Sequence, residues 1–340
     1  MSTKKPTTSR RTLIKGTAAT AAIAPFFIGR SAKAGEAEIT LKLATVAPKD
    51  TPWHRLAAKM TKHIEEKTEG RVNIKGYYGG SLGDEGTTAE ACKAGRIGIY
   101  GGSATGLGIS ELEALELPYL FDSSTQAQKA ILANRQRIHD LLWDRGFKLV
   151  LFAENGFRSL GTTFPVEKPS DLKGRKIRTQ QTKCHIATFK GFGASPVPMG
   201  ITEVLSSLQT GVVEGYDNTK LFAFAAALYM ATTHWTETKH IYQPGIVVMS
   251  RKGAWDKLPK DLQEVIELES DEVLKMEDRG FRTVRALDGQ LSKNFHDIGV
   301  EVTEPDLAAF RKVAGAVHAD FKKRTTKDGS ALLDALKKAT

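Results

Sequence analysis

The chain has 340 residues, of which 41% are hydrophobic and 26% charged, with 12 prolines and 31 glycines. This composition excludes a disordered tail protein, a collagen-like repeat and a polytopic membrane protein, and the length favours two lobes over one. The formal charge of +10 points to nucleic-acid binding only if the basic residues lie in the folded part of the chain.

The first 34 residues carry most of the excess charge. They contain no acidic residue and seven basic ones, which are Lys4, Lys5, Arg10, Arg11, Lys15, Arg30 and Lys33. Without them, 42 basic residues stand against 39 acidic ones, a charge of +3. We therefore expect no nucleic-acid partner.

The same segment has the order of an export signal. Basic residues precede an uncharged run over 16–29, and Ala32-Lys33-Ala34 offers a cleavage site. Because a bilayer span needs roughly 20 residues, this run is too short to anchor the mature chain. Arg10-Arg11-Thr12-Leu13-Ile14-Lys15 resembles the twin-arginine pattern, which predicts export to the periplasm; the alternative is a disordered basic arm.

The mature chain opens with strands and helices in alternation. Glu38–Ala44 alternates apolar and polar residues, as in a half-buried strand, and Thr51 and Pro52 are typical of a helix start. The elements predicted next are a strand at Val72–Ile74, a turn at 79–83, a helix from Asp84 to Ala94, a strand at Ile97–Tyr100, a long helix at Ser124–Asp144 and a strand at Leu149–Ala153.

The alternation restarts after residue 155. The elements predicted there are a strand at Lys176–Arg178, helices at Lys183–Phe192 and Thr202–Thr210, a strand at Val212–Tyr216, a helix at Lys220–Met230, a strand at Ile246–Ser250 and a long helix from Pro259 past Met276. This pattern predicts two α/β lobes with largely parallel sheets, bridged by the long helix. Without a Pro-, Gly- or Ser-rich linker the lobes are expected to interleave, as 35–155 with about 242–280, and about 156–241 with about 281–340.

No strong catalytic motif is present. Gly101–Thr105 has the order of a nucleophile elbow, but its second glycine is replaced by Thr105. The chain has neither a phosphate-loop lysine nor a dinucleotide glycine pattern, and its eight histidines form no His-x-x-x-His pair. We therefore predict no catalytic residues, no metal and no cofactor.

The two cysteines, Cys92 and Cys184, fall in different predicted lobes. An oxidising compartment permits a disulfide between them. Because such a bridge would restrain a hinge, we favour two buried free thiols.

Polar residues follow several predicted strands. Arg158 follows the strand that ends at Ala153, Arg178 closes a strand, and Asn218 comes after Tyr216. Ligands of open α/β sheets bind outside the carboxyl ends of the strands, and an arginine there presents a planar fork that matches a carboxylate. Each arginine taken alone is also compatible with a solvated surface position.

Ordered motifs along the chain resemble those of the substrate-binding proteins of tripartite ATP-independent periplasmic (TRAP) transporters, the dicarboxylate-binding, DctP-like family. They are Tyr78-Gly79-Gly80-Ser81-Leu82-Gly83-Asp84-Glu85, Glu116-Leu117-Pro118-Tyr119-Leu120-Phe121, Asn155-Gly156-Phe157-Arg158, Asp171-Leu172-Lys173-Gly174-Arg175-Lys176-Ile177-Arg178, Gly193-Ala194-Ser195-Pro196-Val197-Pro198-Met199, and the segment 203–215.

The resemblance implies two lobes that close on a small organic anion in the cleft between them. It implies that Arg178 pairs with the ligand carboxylate, that Arg158 is a second cleft arginine and that Asn218 contacts the ligand. Gln181 and Met199 are similar in position to family cleft residues. Ser103, in the small and uncharged segment 101–105, is a further predicted ligand-binding residue.

The sequence departs from the family pattern in ways that bear on the ligand. Tyr216-Asp217-Asn218-Thr219 stands where the family has Gln-Glu-Asn-Pro. A glycine-lined wall at 101–105 and the apolar run Leu221–Leu228 favour a bulkier or more apolar acid, although the run is equally typical of a buried helix face.

These features predict a periplasmic solute-binding protein that captures an organic acid by hinge closure and delivers it to a TRAP-type permease driven by an ion gradient. The alternatives are a binding protein for a bulkier or more apolar ligand in sensing or lipid handling, and a secreted α/β enzyme. Because no nucleophile, base or metal cluster stands out, we predict no enzymatic activity.

Overall fold

The computed structural model describes residues 37–267 and 271–340 of the chain. The predicted export signal lies outside the described residues. The strands within these ranges are β1 (Ile39–Thr45), β2 (Val72–Tyr77), β3 (Ile99–Ser103), β4 (Phe147–Thr162), β5 (Lys176–Thr179), β6 (Ser195–Pro198), β7 (Gly215–Thr219), β8 (His234–Ser250) and β9 (Glu301–Thr303). The helices there are α1 (Pro52–Lys67), α2 (Glu85–Lys93), α3 (Ser124–Ala133), α4 (Arg135–Asp144), α5 (Lys183–Gly191), α6 (Val204–Gln209), α7 (Lys220–Ala225), α8 (Lys260–Ile266), α9 (Asp271–Asp297), α10 (Leu307–Arg311), α11 (Val313–Arg324) and α12 (Lys327–Ala339).

A mixed sheet runs through the molecule in the order β2-β1-β3-β8-β4-β7-β5-β6, with β9 beside β8. Strands β2, β1 and β3 are parallel to one another, and so are β7, β5 and β6. Antiparallel pairing joins β3 to β8, β8 to β4 and β4 to β7. We call the part with β1–β3 the first half-sheet and the part with β5–β7 the second half-sheet.

The long strands β4 and β8 belong to both half-sheets. The carboxyl-terminal part of β8 pairs with β3, whereas residues 158–162 of β4 pair with β7. Between these regions the β4–β8 ladder shifts register between Glu154 and Gly156. Gly156 has a φ of +95°, which glycine adopts readily. The bulge therefore interrupts the ladder where the chain passes from one half-sheet to the other.

The predicted α/β class is confirmed, but the two lobes share one continuous sheet. Leu149–Ala153 and Ile246–Ser250 are only the apolar parts of β4 and β8, which extend to 16 and 17 residues. The polar residues of β4 have partners inside the protein; for example, the Tyr242 hydroxyl donates to Glu154 Oε2 at 2.9 Å. Arg158 consequently lies within β4, not after a strand, which corrects its predicted position.

Several other predicted boundaries were wrong for local reasons. Asn134 divides the long helix into α3 and α4 with a φ of −106°, and its side-chain amide donates to the Ala130 carbonyl at 2.9 Å. Ala227 is left-handed, with a φ of +54°, so α7 ends at Ala225 well before Met230. Strand β7 begins only at Gly215, because the Val213 amide still donates back to the Ser207 carbonyl of α6 at 3.3 Å.

The predicted helix from Pro259 is also broken in two. Helix α8 ends where Glu267 becomes extended, with a ψ of 140°. Both carboxylate oxygens of Glu267 lie 2.9 Å from Lys148 Nζ, so this residue binds β4 instead of continuing the helix. The long helix is α9, which packs against α1 beside the first half-sheet and against α7 beside the second.

The two predicted helix starts were correct. The Thr51 hydroxyl accepts from the His54 amide, with Pro52 in the first turn of α1, and Asp84 accepts from the Thr87 amide at 2.8 Å to cap α2. Local capping chemistry therefore fixes the start of α2 beside the loop of residues 79–83.

The two helices at the carboxyl end, α11 and α12, pack against different parts of the molecule. Helix α11 packs against α5, whereas α12 packs against α3, α4 and the turn at residues 110–116. Cys92 and Cys184 are both buried and free, as predicted. Across the described ranges, no helix has the length and apolar character of a membrane span.

Candidate ligand-binding cleft

A cavity of about 240 Å³ lies where elements of the two half-sheets face each other. It is smaller than the roughly 300–1,000 Å³ of sites for drug-sized ligands, which suits a small metabolite. The cavity is lined from both sides, and its lining includes Trp53, Glu85, Arg158, Arg178, Gln180 and Asn218.

Arg178 occupies the carboxyl end of β5, where the parallel strands of the second half-sheet open into the cavity. It is 3% exposed, and its Nε and Nη2 atoms donate to the Met199 carbonyl at 3.1 and 2.9 Å. Its Nη1 atom has no hydrogen-bond partner among the described residues. Burial lowers the pKa of Arg178 to about 10, so the guanidinium stays charged at neutral pH.

Arg158 is held differently, by partners for each of its nitrogens. Nε donates to Asp217 Oδ2 at 2.6 Å, and Nη2 donates to the Asp217 carbonyl at 2.6 Å. Nη1 donates to Gln243 Oε1 at 2.8 Å and lies 3.5 Å from Asn218 Oδ1. The side chain is 1% exposed. Arg158 thus shapes the cavity wall while its charge is balanced by a buried carboxylate.

Five of the six predicted site residues line the cavity, namely Arg178, Arg158, Asn218, Gln181 and Met199. Asn218 orients its oxygen toward the protein, since Oδ1 accepts from the Thr219 amide at 2.8 Å. Met199 serves through its carbonyl, which holds the Arg178 guanidinium.

Ser103 lies behind the cavity wall and positions Glu85. Its amide donates to Glu85 Oε1 and its hydroxyl to Glu85 Oε2, each at 2.7 Å. Gln180, on the other side of the cavity, donates to Glu85 Oε2 at 3.2 Å. Burial raises the pKa of Glu85, although the two hydrogen bonds from Ser103 act against that shift. Glu85 is therefore an acceptor-rich group in a cavity that also contains Arg178.

The glycine wall does not create space for a bulky ligand, contrary to its interpretation from sequence. A Cβ on Gly102 would lie 2.6 Å from Glu85 Oε1 and would also clash with the Tyr100 hydroxyl. A Cβ on Gly101 would lie 3.3 Å from the Trp53 ring. The missing side chains are thus replaced by Glu85, Tyr100 and Trp53, so the glycines admit protein groups.

Two aromatic rings form apolar parts of the wall. Trp53 is 7% exposed, and its indole N–H donates to Asn155 Oδ1 at 2.6 Å. Phe222, from α7, lines the cavity among residues of the second half-sheet. It belongs to the run Leu221–Leu228, in which Ala223 and Leu228 are buried in a core, so part of that run is the buried helix face considered from sequence.

A buried polar network beneath the cavity had no sequence signal. His185 Nε2 lies 3.0 Å from Glu116 Oε2, and Gln243 Nε2 donates to the same oxygen at 3.0 Å. Gln243 Nε2 also lies 2.9 Å from Gln180 Oε1. Coulombic attraction to Arg158, together with hydrogen bonds from His185 and others, overcomes burial and holds the pKa of Asp217 well below its usual value.

Glu85 lines the cavity but was not among the predicted site residues, although the sequence contains a signal for it. It directly follows the helix cap Asp84 within a quoted motif, and helix starts after parallel strands lie at the ligand edge of such sheets. Gln180 and Gln243 carry no comparable local pattern. Among residues 37–267 and 271–340, no cluster of three or more His, Cys, Asp or Glu side chains is arranged to hold a metal ion.

The sequence matches the family model of the bacterial extracellular solute-binding proteins, family 7, over residues 43–324. A solute-binding protein of Verminephrobacter eiseniae is 31% identical over 288 residues, 82% of each chain. The 2,3-diketo-L-gulonate-binding periplasmic protein YiaO of Escherichia coli K12 is 29% identical over 83% of this chain and 87% of its own. The crystal structure of a TRAP periplasmic solute-binding protein from Citrobacter koseri with bound D-glucuronate has a TM-score of 0.80 and 29% identity, and the match covers 87% of this chain and 98% of that one.

The contrast between the two arginines yields a stability prediction. Arg158→Ala leaves the Asp217 carboxylate buried without its main counter-charge, so the free energy of unfolding should fall by about 3–5 kcal/mol. Arg178→Ala removes no ion pair among the described residues and should cost less, about 1–3 kcal/mol for the stranded Met199 carbonyl. Urea unfolding of both variants measures the difference.

A double variant is the control for this comparison. Replacing Arg158 by Met and Asp217 by Leu removes both charges and should recover part of the stability that Arg158→Ala loses. Equal losses for the two single arginine variants would contradict the assigned difference in their pairing.

Proposed function

Because the chain belongs to the family 7 bacterial extracellular solute-binding proteins, which include the TRAP transporter binding proteins, we propose that it captures a sugar acid in its cleft and delivers it to a TRAP-type permease. Its relatives named above bind 2,3-diketo-L-gulonate and D-glucuronate. Both compounds join one carboxylate to several oxygen substituents, and the cleft has groups suited to each part.

The observation that carries the proposal is the buried Arg178. Its guanidinium lines the cavity with one nitrogen free of protein partners, and no carboxylate of the described chain forms an ion pair with it. A buried charge of this kind is stable only when it is paired. A ligand carboxylate supplies that charge, and each charge-assisted hydrogen bond contributes about 1.5–3 kcal/mol.

Other groups of the cavity support a hydroxylated ligand. The Glu85 carboxylate accepts hydrogen bonds, and Gln180 and Asn155 offer amide groups along the same cavity. Sugar hydroxyls donate and accept, so they match these groups. The rings of Trp53 and Phe222 supply apolar surface for the C–H faces of a sugar. A simple dicarboxylate would use Arg178 but would meet repulsion at Glu85.

We propose hinge closure around β4 and β8 as the mechanism. Lobe I then comprises 35–155 with about 242–280, and lobe II about 156–241 with about 281–340, except that the contacts of α12 favour lobe I for that last helix. The interrupted ladder near Gly156 is a suitable hinge. Since Arg178 and Glu85 come from different lobes in this assignment, a ligand that reaches both adds to the contacts that stabilise the closed form.

The closed, loaded protein would then dock on integral-membrane permease subunits powered by an ion gradient. This assembly functions in the periplasm, the location named for the relatives. Family membership supports binding over catalysis, and it likewise supports transport over sensing or lipid handling. We infer no enzymatic activity, and turnover of a bound acid would contradict that inference.

The role of Arg178 can be tested by calorimetric titration with D-glucuronate and with D-glucose, which lacks the carboxylate. The wild-type protein should bind D-glucuronate and not D-glucose. Arg178→Ala should lower the affinity for D-glucuronate by about 100-fold, since two charge-assisted hydrogen bonds contribute about 3 kcal/mol. Small-angle scattering should show contraction with D-glucuronate only for the wild type.

Arg175→Ala is the matched control, because Arg175 lies just before the same strand but is exposed and pairs with Glu214. Its affinity for D-glucuronate should equal that of the wild type. Undiminished binding by Arg178→Ala would contradict the proposed pairing of Arg178 with the ligand carboxylate. Loss of binding by both variants would indicate a general disturbance of the strand.

The role of Glu85 is tested by selectivity. Glu85→Gln keeps the size of the side chain but loses the charged acceptor, so the ratio of the affinities for D-glucuronate and adipate, which has no hydroxyls, should fall about tenfold. Parallel titrations with both acids measure this ratio. An unchanged affinity ratio would show that Glu85 does not accept hydrogen bonds from the hydroxyl groups of the ligand.

We further propose export through the twin-arginine pathway, on the sequence of residues 9–15. Replacing Arg10 and Arg11 by Lys should retain the precursor in the cytoplasm, as cell fractionation and immunoblotting would detect. Replacing Lys4 and Lys5 by Arg should leave export unchanged. Normal periplasmic yield of the Arg10 and Arg11 variant would refute this route while leaving the binding function untouched.

A further inference from the structure

His185 lies buried between two carboxylates beneath the cleft. Its Nε2 atom is 3.0 Å from Glu116 Oε2, and its Nδ1 atom is 3.4 Å from Asp217 Oδ2. All three side chains have an exposed fraction of 0%. The ring therefore has a carboxylate oxygen near each nitrogen in a fully buried setting.

This geometry favours a protonated ring. A neutral imidazole has one donor and one acceptor nitrogen, so one of its lone pairs would face a carboxylate oxygen. An imidazolium donates to Glu116 through Nε2, and its Nδ1–H lies 3.4 Å from Asp217 Oδ2 as an ion pair without hydrogen-bond geometry. Burial alone would lower the pKa of His185, but the interactions with Asp217 and Glu116 outweigh it and raise the pKa above its ordinary value of 6.5.

The two carboxylates connect the ring to the cavity. Asp217 Oδ2 accepts from Arg158 Nε at 2.6 Å, and Glu116 Oε2 accepts from Gln243 Nε2 at 3.0 Å. Gln243 in turn accepts from Arg158 Nη1 at 2.8 Å and contacts Gln180. His185, in α5, thus holds the groups that orient Arg158, Gln243 and, through Gln243, Gln180.

The charged and titratable groups around His185 come from each neighbouring element. They are Glu116 from the turn at 110–116, Asp217 from β7, Arg158 from β4 and His240 from β8. Cys184 precedes His185 on α5, and its amide donates to Glu113. Arg324 of α11 pairs with Glu113. With His185 protonated, the two cations Arg158 and His185 balance Asp217 and Glu116. Loss of the proton leaves a net negative charge directly under the anion site.

We propose that His185 is a positioning residue of the anion site, which as an imidazolium fixes Glu116 and Asp217 and couples acid capture to the uptake of a proton. This inference rests on the proposed function, because it concerns the affinity for an acid. The incoming carboxylate stabilises the charged ring, and the charged ring in turn favours the carboxylate. The affinity should therefore be highest below the pKa of His185 and should fall as the pH rises through it.

His240 provides a matched control within the same cluster. Its Nε2 atom is 3.6 Å from Asp217 Oδ2, but its Nδ1 atom meets the Thr238 hydroxyl at 2.8 Å instead of a second carboxylate. Burial lowers the pKa of His240, so it is neutral where His185 is charged. A substitution at His240 disturbs the packing around Asp217 without removing the proposed proton site.

The test measures the affinity for D-glucuronate from about pH 6 to about pH 9 by calorimetry, in buffers that differ in ionisation enthalpy. For the wild type, the affinity should fall by up to about tenfold per pH unit over part of this range, with proton uptake on binding. His185→Gln should abolish both the slope and the uptake. His240→Gln should keep both, whatever its absolute affinity.

A ligand-free measurement separates this inference from the proposed function. The NMR titration of the His185 ring in the wild-type protein should give a pKa above 6.5, and D-glucuronate should raise it further. A His185 ring with a pKa at or below 6.5 would overturn the inference. This result needs neither binding of an acid nor a folded His185→Gln variant. Binding whose pH slope survives in His185→Gln would overturn it as well, while the proposed function would stand.

Discussion

The ion pair between Arg158 and Asp217 is the interaction on which the cleft depends. Both side chains are buried where β4 pairs with β7, and removing two charges from water costs several kcal/mol per ion. The cost is offset because each nitrogen of Arg158 has an acceptor and Asp217 is approached by several cationic or polar groups. Since this pair satisfies one cleft guanidinium from within the protein, Arg178 is the cleft arginine that has no carboxylate partner among the described residues.

Much of this arrangement was predictable because it depends on local chemistry or on the order of motifs. Thr51 with Pro52 and Asp84 mark helix starts, because their local chemistry favours a cap at those positions. The placement of Arg178 at the end of β5 follows from the order of short strands and helices. Five of the six predicted site residues reach the cavity, although the sequence did not distinguish the paired Arg158 from the unpaired Arg178.

The unpredicted parts depend on contacts between distant residues. Glu154 and Arg158 interrupt the apolar pattern of β4, and only partners such as Tyr242 and Asp217 explain why the strand continues through them. From the sequence, Gly102 was expected to leave room for a ligand. In the structure, the Glu85 side chain from α2 occupies the space beside Gly102. The value of a small or polar residue in this fold is therefore set by which side chain the tertiary structure brings to it.

The polar groups of the cavity form hydrogen bonds with one another, and these bonds bear on the selectivity of the proposed function. Gln180 donates to Glu85 and contacts Gln243, so these polar groups partner each other across the cavity. On the proposed function, an acid without hydroxyls pairs with Arg178 but leaves this set unchanged and gains nothing from it. A sugar acid exchanges these internal contacts for its own hydroxyl contacts while its carboxylate pairs with Arg178. On the same proposal, an ionised Glu85 would repel a second ligand carboxylate, so the wall that admits hydroxyl groups would disfavour a dianion. A ligand with charge at one end and hydroxyl donors at the other would then satisfy both sides of the cleft.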